Sequence, residues 1–271
     1  MTAAWLSGLP LHLLEQLGGL LRRATMVLLA TAALTAGVVA EAIDPRSWRR
    51  PTLRAELRRS LRQALAGSLF TTLVTAGLVG VGLVHQAMSW LAFAGQEGLA
   101  GGLLVLVLVR EVAPVLVGLI LLGRSGTVIV VEFGATKASG HLDVLEAQGL
   151  DPFALLVLPR VVAMGVAGFT LGVLFLATAL SSGFLTGRLL GVVQTPFADL
   201  LTNLLGAMGK SDFTLFAVKM VLVGALVAVV AAITGMSSTR AETPSHLLPR
   251  GFVRGLFAIL GTSVVLSMAT A

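Results

Sequence analysis

Residues 103–123 read LLVLVLVREVAPVLVGLILLG. An α-helix that crosses a bilayer needs about 20 consecutive, mostly apolar residues, and this stretch meets that requirement. It also contains two adjacent charges, Arg110 and Glu111, followed by Pro114. The stretch therefore predicts a membrane-spanning helix whose polar groups need partners from other helices or from a wet cavity.

The composition of the whole chain supports a membrane protein. Hydrophobic residues make up 56% of the 271 residues and charged residues only 12%, whereas soluble domains carry about 25% charged residues. The chain has no cysteine, and its four histidines are scattered without metal-ligand spacing, so we predict no metal site and no catalytic residue. We predict an all-α, polytopic integral membrane protein.

Apolar runs predict five membrane spans, at 66–92, 99–123, 161–187, 213–236 and 252–271. Upstream, residues 5–21 form an apolar pattern followed by Arg22 and Arg23, which is typical of a helix lying in the membrane interface. The segment 24–43 either spans the membrane or lies in that interface. We divide the chain into an N-terminal interfacial or elbow region, 1–62, and a transmembrane domain, 63–271.

The distribution of basic residues predicts the orientation. Arginines are dense before residue 63, and basic residues recur in the segments 124–160 and 237–254, whereas the segment 89–98 has none. Because cytoplasmic loops of membrane proteins carry an excess of Lys and Arg, we expect these three basic regions and the N-terminus on the cytoplasmic side. The net charge of +6 is explained in the same way, and we predict no nucleic-acid partner.

The Arg110–Glu111 pair is costly, at about 2.5–3.5 kcal/mol for each charge at the centre of a span. Adjacent helical side chains point about 100° apart, so each charge needs another partner. Lys219 in the fourth span is a candidate for Glu111, and Pro114 frees a backbone carbonyl. Two interpretations stay open, a structural salt bridge between helices and a functional cavity or gate.

The polar segment 124–160 contains a second predicted feature, a short helix. Ser139 is placed to cap it, and Gly149 and Pro152 are placed to end it. The apolar residues Leu142 and Leu145 share one face of this helix. The acidic residues Asp143 and Glu146 share another. Such a helix either docks a soluble partner or stabilises its own bundle at the interface.

The stretch from Arg110 to about residue 175 resembles the MlaE/YrbE family, the permease subunits of ABC systems that move phospholipids or other lipids. Five motifs carry the resemblance in order and spacing: REVAPVL (110–116), GRSGT (123–127), EFGATK (132–137), LDVLEAQGLDP (142–152) and LPRVVA (158–163). The family motifs include residues Gly123, Arg124, Gly126, Glu132, Asp151, Pro152 and Arg160.

The resemblance implies an MlaE-like permease domain over 63–271, with five spans, an interfacial helix and a cytoplasmic coupling helix at 139–149 that docks on an ATPase. It implies a homodimer in the inner membrane, an ATPase subunit that binds ATP and Mg, and an MCE-domain protein that carries phospholipid onward. The chain itself would hold no cofactor. Arg110, Glu111 and Lys219 would lie near a lipid cavity, with Arg110 and Lys219 facing the head group.

The function that follows is ATP-driven lipid transport by a non-enzymatic subunit. The alternative is a secondary transporter in which Glu111 is the ion-coupling site, because intramembrane carboxylates serve in that way. Secondary transporters usually show internal repeats, and this sequence shows none that is obvious.

Overall fold

A computed structural model describes residues 51–95, 100–149, 152–191, 196–238 and 244–268, together with Gly37. Within these ranges the chain is helical and contains no strand, which confirms the predicted fold class. The interfacial helix predicted at 5–21, the segment 24–43 apart from Gly37, and Asp151 lie outside the described residues.

Seven helices, α1–α7, follow one another along the described ranges, and three contain π-helical turns. The first is α1, with α-helical segments Pro51–Val79 and His85–Phe93 on either side of a π-helical turn at Gly80–Val84. The second is α2, which consists of Ala100–Leu104, a π-helical segment Val105–Val112, Ala113–Leu121, a π-helical turn Leu122–Gly126, and Thr127–Ala138.

The remaining helices are α3 (His141–Ala147), α4 (a π-helical turn Phe153–Val157 followed by Leu158–Leu189), α5 (Phe197–Ala207), α6 (Lys210–Met236) and α7 (Pro244–Met268). Among the described residues, five helices are long and apolar enough to cross a membrane: α1, α2, α4, α6 and α7. The predicted number of spans is therefore confirmed. The boundary between residues 62 and 63 falls inside the α-helical segment Pro51–Val79.

The structure corrects the predicted segment 124–160, which is not a polar loop over its first part. Helix α2 continues to Ala138 because buried side chains keep helical spacing through this region, at Ile129, Val130 and Phe133. The polar segment 237–254 is likewise helical from Pro244, with Pro249 inside α7.

Helix α5 lies between the predicted spans 161–187 and 213–236, where the sequence analysis predicts no helix. Its start follows Pro196, and Leu200 and Leu204 are buried four residues apart. An apolar pair at that spacing supports a short amphipathic helix packed on the bundle.

Glycines set a close helix crossing between α4 and α6. A Cβ atom on Gly168 would lie 2.7 Å from the Met220 carbonyl oxygen, and one on Gly224 would lie 2.2 Å from the Met164 carbonyl oxygen. A Cβ on Gly183 would lie 2.5 Å from the Cβ of Val84, where α4 packs on the first π-helical turn. Small residues thus let the backbones of these spans approach closely.

The short helix α3 is present, but Ser139 does not cap it. The residue before α3 is Gly140, in a left-handed conformation with φ +73°, while the Ser139 hydroxyl donates to the Thr136 carbonyl at the end of α2. Glycine at 140 is required because that φ is unfavourable for other residues. The predicted stop at Gly149 is confirmed, with φ +71° and its N–H bonded to the Glu146 carbonyl.

Candidate functional site

Lys219 of α6 is fully buried and lies at the centre of a polar cluster. Its Nζ atom is 3.3 Å from the Glu111 Oε1 atom and 2.8 Å from the Ser267 hydroxyl oxygen. The predicted pairing of Lys219 with Glu111 is therefore confirmed. The pair joins α2, α6 and α7 inside an otherwise apolar bundle.

The ammonium of Lys219 also donates to the Arg110 backbone carbonyl. In an uninterrupted α-helix that carbonyl would accept the N–H of residue 114, which is Pro114 and has none. The π-helical segment Val105–Val112 lies just before this proline. Pro114 thus frees a carbonyl that becomes a ligand for the buried lysine.

Glu111 has two further partners that the sequence analysis missed. The Ser263 hydroxyl donates to its Oε2 atom over 3.1 Å, and the Ser267 hydroxyl donates to Oε1. Both serines lie on α7, one helical turn apart. The signal in the sequence that could have indicated these partners is the pair of serines four residues apart in an apolar span. The Glu111 side chain nevertheless remains 45% exposed.

Arg110 pairs with Asp212 at the start of α6, a partner that the sequence analysis did not assign. Its Nε and Nη2 atoms lie 2.9 and 2.5 Å from Asp212 Oδ1. The other Asp212 oxygen accepts the Gly209 N–H over 3.0 Å and so caps α6. Arg110 is thereby held in place, yet its side chain is still 30% exposed beside Glu111.

A second charged group, which we call the Arg160 clamp, consists of Arg160, Glu132, Glu56 and Phe133. The Arg160 Nη2 atom lies 2.8 Å from Glu132 and 3.6 Å from Glu56, and its guanidinium carbon lies 4.7 Å from the centre of the Phe133 ring. The clamp connects the beginnings of α1 and α4 with the end of α2, close to α3. It accounts for Glu132 and Arg160 of the family motifs.

We expect Arg160→Met to lower the free energy of unfolding by about 1–2 kcal/mol, because it leaves two carboxylates without their cation. Arg160→Lys keeps the charge but loses the planar contact with Phe133, so its free energy of unfolding should lie between those of the native protein and Arg160→Met. Thermal unfolding in detergent measures the effect. Equal midpoints for Met, Lys and the native arginine would contradict a clamp.

The remaining family-motif residues that the structure describes, which leave out Asp151, lie on helices. Gly123, Arg124 and Gly126 lie in the π-helical turn of α2, where Gly126 packs against Val227 and the Arg124 Nε atom donates to the Gly67 carbonyl over 2.9 Å. Pro152 immediately precedes the π-helical turn of α4.

The face of α3 predicted for docking is exposed. Asp143, Val144 and Glu146 are exposed, whereas Leu142 is buried and Leu145 is half-buried against the bundle. Lys137 at the end of α2 lies 3.9 Å from Asp143. The apolar side of α3 therefore attaches it to α2, and its acidic side is available to another molecule.

Comparison with known proteins identifies the family. The sequence model described as Permease MlaE matches residues 57–269, which include the Arg110–Glu111–Lys219 cluster, α3 and all of the Arg160 clamp except Glu56. The chain belongs to the MlaE permease family. The permease resemblance found in the sequence is thus confirmed.

Individual MlaE-family relatives are moderately similar. A probable ABC transporter permease protein of Synechocystis sp. is 30% identical over 64% of this chain and 65% of its own length. The chloroplastic protein TRIGALACTOSYLDIACYLGLYCEROL 1 of Arabidopsis thaliana is 28% identical over 64% of this chain and 49% of its own length. The intermembrane phospholipid transport system permease protein MlaE of Haemophilus influenzae is 32% identical over 44% of this chain and 46% of its own length. The match thus spans about half to two thirds of these relatives.

Proposed function

We propose that this chain is the membrane subunit of an ABC transporter that moves phospholipids between membranes, with ATP hydrolysed on a separate subunit. Membership of the MlaE family and the name of the Haemophilus influenzae relative support the proposal. The structural observation that carries it is the half-exposed Glu111 side chain, held beside Arg110 within apolar spans.

This cluster suits a lipid head group. Arg110 offers its exposed part to a phosphate, while Glu111 attracts a cationic amine or repels a misplaced phosphate. Lys219 is fully buried with three partners, so its role in this conformation is to hold Glu111 in place. Acyl chains would lie against the apolar side chains of the surrounding helices.

The proposed setting is the inner membrane, with α3, the Arg160 clamp and the N-terminus on the cytoplasmic side. The excess of arginine before residue 63 supports this orientation. Two copies of the chain would form the permease, and an MCE-domain protein would receive the lipid on the other side. ATP and Mg would be bound by the ATPase subunit.

The exposed face of α3 is proposed as the ATPase docking surface. Val144 is 50% exposed between two acidic side chains, an arrangement that suits an apolar contact with a basic rim on the partner. Movement of α3 would pass through Lys137 to α2 and through the Arg160 clamp to α1 and α4.

We expect Val144→Glu to reduce copurification of the ATPase subunit at least about tenfold, which corresponds to 1.4 kcal/mol. Asn203→Glu is the matched control, since it adds the same charge at an exposed position on α5. Val144→Glu should change thermal unfolding little, because Val144 is 50% exposed. Equal copurification of both variants would contradict docking through α3.

A further inference from the structure

We propose that a groove between α1 and α2 binds the phosphodiester of a membrane lipid, at a site separate from the Arg110–Glu111–Lys219 cluster. The groove is lined by Gln63, Gly67, Gly123, Arg124, Ser125 and Val128. Only the assignment of a lipid as occupant rests on the proposed function; the anion site rests on the geometry.

Arg124 is the unusual residue in the groove. Within the described part of the chain, Arg110 pairs with Asp212, Lys219 with Glu111 and Arg160 with Glu132, but no carboxylate pairs with Arg124. Arg124 nevertheless lies within a candidate membrane span, Gly102–Ala138. Charged residues inside membrane spans pair with opposite charges or mark the path of a substrate. We therefore expect this exposed arginine to bind an anion from outside the described helices.

The guanidinium of Arg124 is already oriented. Its Nε atom donates to the Gly67 carbonyl of α1 over 2.9 Å. This bond fixes the plane of the group and leaves the two Nη atoms to donate side by side. Two parallel N–H donors match two oxygens of a phosphate, the geometry in which arginine binds phosphate most strongly.

The groove has room for a head group. Its volume is about 370 Å³, within the range of about 300–1,000 Å³ that is usual for small-molecule sites. Gly67 and Gly123 contribute to this space, because a Cβ atom on either would meet no heavy atom within 4 Å. Larger residues at 67 and 123 would narrow the groove without disturbing the packing of the bundle.

Neutral donors complete the site. The Ser125 hydroxyl and the Gln63 amide line the groove and also line a smaller cavity of about 20 Å³ beside Arg160 and Glu132. A cavity of that volume holds about one water molecule. Gln63 and Ser125 can therefore donate either to a bound phosphate or to a water that connects it with the Arg160 clamp.

A lipid is the occupant that fits the surroundings. Val128 forms the apolar wall of the groove and is 37% exposed on the outer surface of a candidate span. A phospholipid can place its phosphate on Arg124 and its acyl chains along such a surface, whereas inorganic phosphate gains nothing from it.

The test uses the full chain in lipid nanodiscs, with a photo-crosslinking side chain at Val128 or at Val131. Both positions are on α2 and 37% exposed, but Val131 does not line the groove. The nanodiscs contain phosphatidylcholine, with either phosphatidylglycerol or diacylglycerol as the added probe, and adducts are identified by mass spectrometry. We expect about tenfold more phosphatidylglycerol adduct at 128 than at 131, a ratio that corresponds to 1.4 kcal/mol.

Two variants and one control variant extend the test. Arg124→Gln should remove the excess of adduct at 128, whereas Arg188→Gln, an exposed arginine at the end of α4, should not. Gly67→Leu should also remove it, because the leucine side chain fills the groove while Arg124 is intact. Thermal unfolding identifies any variant that fails to fold. If a variant fails, the proposal is still tested by comparing the adducts at positions 128 and 131 in the chain without that substitution.

Several outcomes would overturn the proposal. One is an equal amount of phosphatidylglycerol adduct at positions 128 and 131. Another is labelling at 128 by diacylglycerol that equals labelling by phosphatidylglycerol. A third is labelling at 128 that persists in both Arg124→Gln and Gly67→Leu. Loss of the adduct on addition of inorganic phosphate would assign the site to the free anion, and an adduct with a second copy of the chain would assign the groove to a protein interface. None of these results bears on whether transport is driven by ATP.

Discussion

Replacing Lys219 by methionine is expected to destabilise the protein by about 2–3 kcal/mol, less than the cost of about 3–5 kcal/mol for breaking a fully buried ion pair, because the Glu111 side chain is 45% exposed. The lysine is fully buried, so water cannot replace it. Its loss leaves Glu111, the Arg110 carbonyl and Ser267 without a shared donor. Thermal unfolding in detergent should show a large fall in the midpoint.

The double variant Lys219→Met with Glu111→Gln separates charge from packing. Removing both members of a buried pair is often nearly neutral, because no charge is left without a partner. The glutamine can still accept from Ser263 and Ser267. We expect the double variant to recover most of the stability that Lys219→Met loses; a double variant as unstable as the single one would show that the lysine acts through packing alone.

The second large effect is expected at the crossing of α4 and α6. Gly224→Val should destabilise the protein by about 3 kcal/mol, at the upper end of the usual cost of overpacking. The clash is with backbone, since a Cβ at this position lies 2.2 Å from the Met164 carbonyl oxygen, so the helices must separate. The measurement is the unfolding midpoint, together with loss of the folded species on gel filtration.

A matched control distinguishes this clash from helix propensity. A Cβ on Gly77 of α1 would meet no heavy atom within 4 Å. Gly77→Ala should therefore raise stability by up to about 1 kcal/mol, as alanine favours helix over glycine. If Gly224→Ala behaved in the same way, the close crossing would be wrong.

Sequence reasoning succeeded where a feature was energetically costly. Two charges in an apolar span had to find partners, which led to Glu111 with Lys219 and to the role of Pro114. The face of α3 followed from its helical spacing.

Other parts of the site could not be predicted from local patterns. Asp212 lies just outside the predicted span 213–236, yet it caps α6 and binds Arg110 of α2, which is more than 100 residues away in sequence. Ser139 is a residue type that often caps helices, but the residue that precedes α3 is Gly140, which adopts the left-handed conformation of the turn between α2 and α3. The π-helical turns that carry Arg110 and Arg124 leave no periodic signal, because they add one residue to a turn without changing the apolar character.

We propose that ATP hydrolysis by a partner subunit drives lipid through this bundle. The measurement that tests it most directly is transfer of a labelled phospholipid by the permease and ATPase reconstituted in vesicles. We predict transfer that requires ATP and that falls about tenfold in the folded Lys219→Met, Glu111→Gln double variant, a loss of 1.4 kcal/mol in the transition state. Transfer that proceeds without ATP under a proton gradient, and that requires Glu111 but not Lys219, would contradict ATP-driven transport and support a secondary transporter.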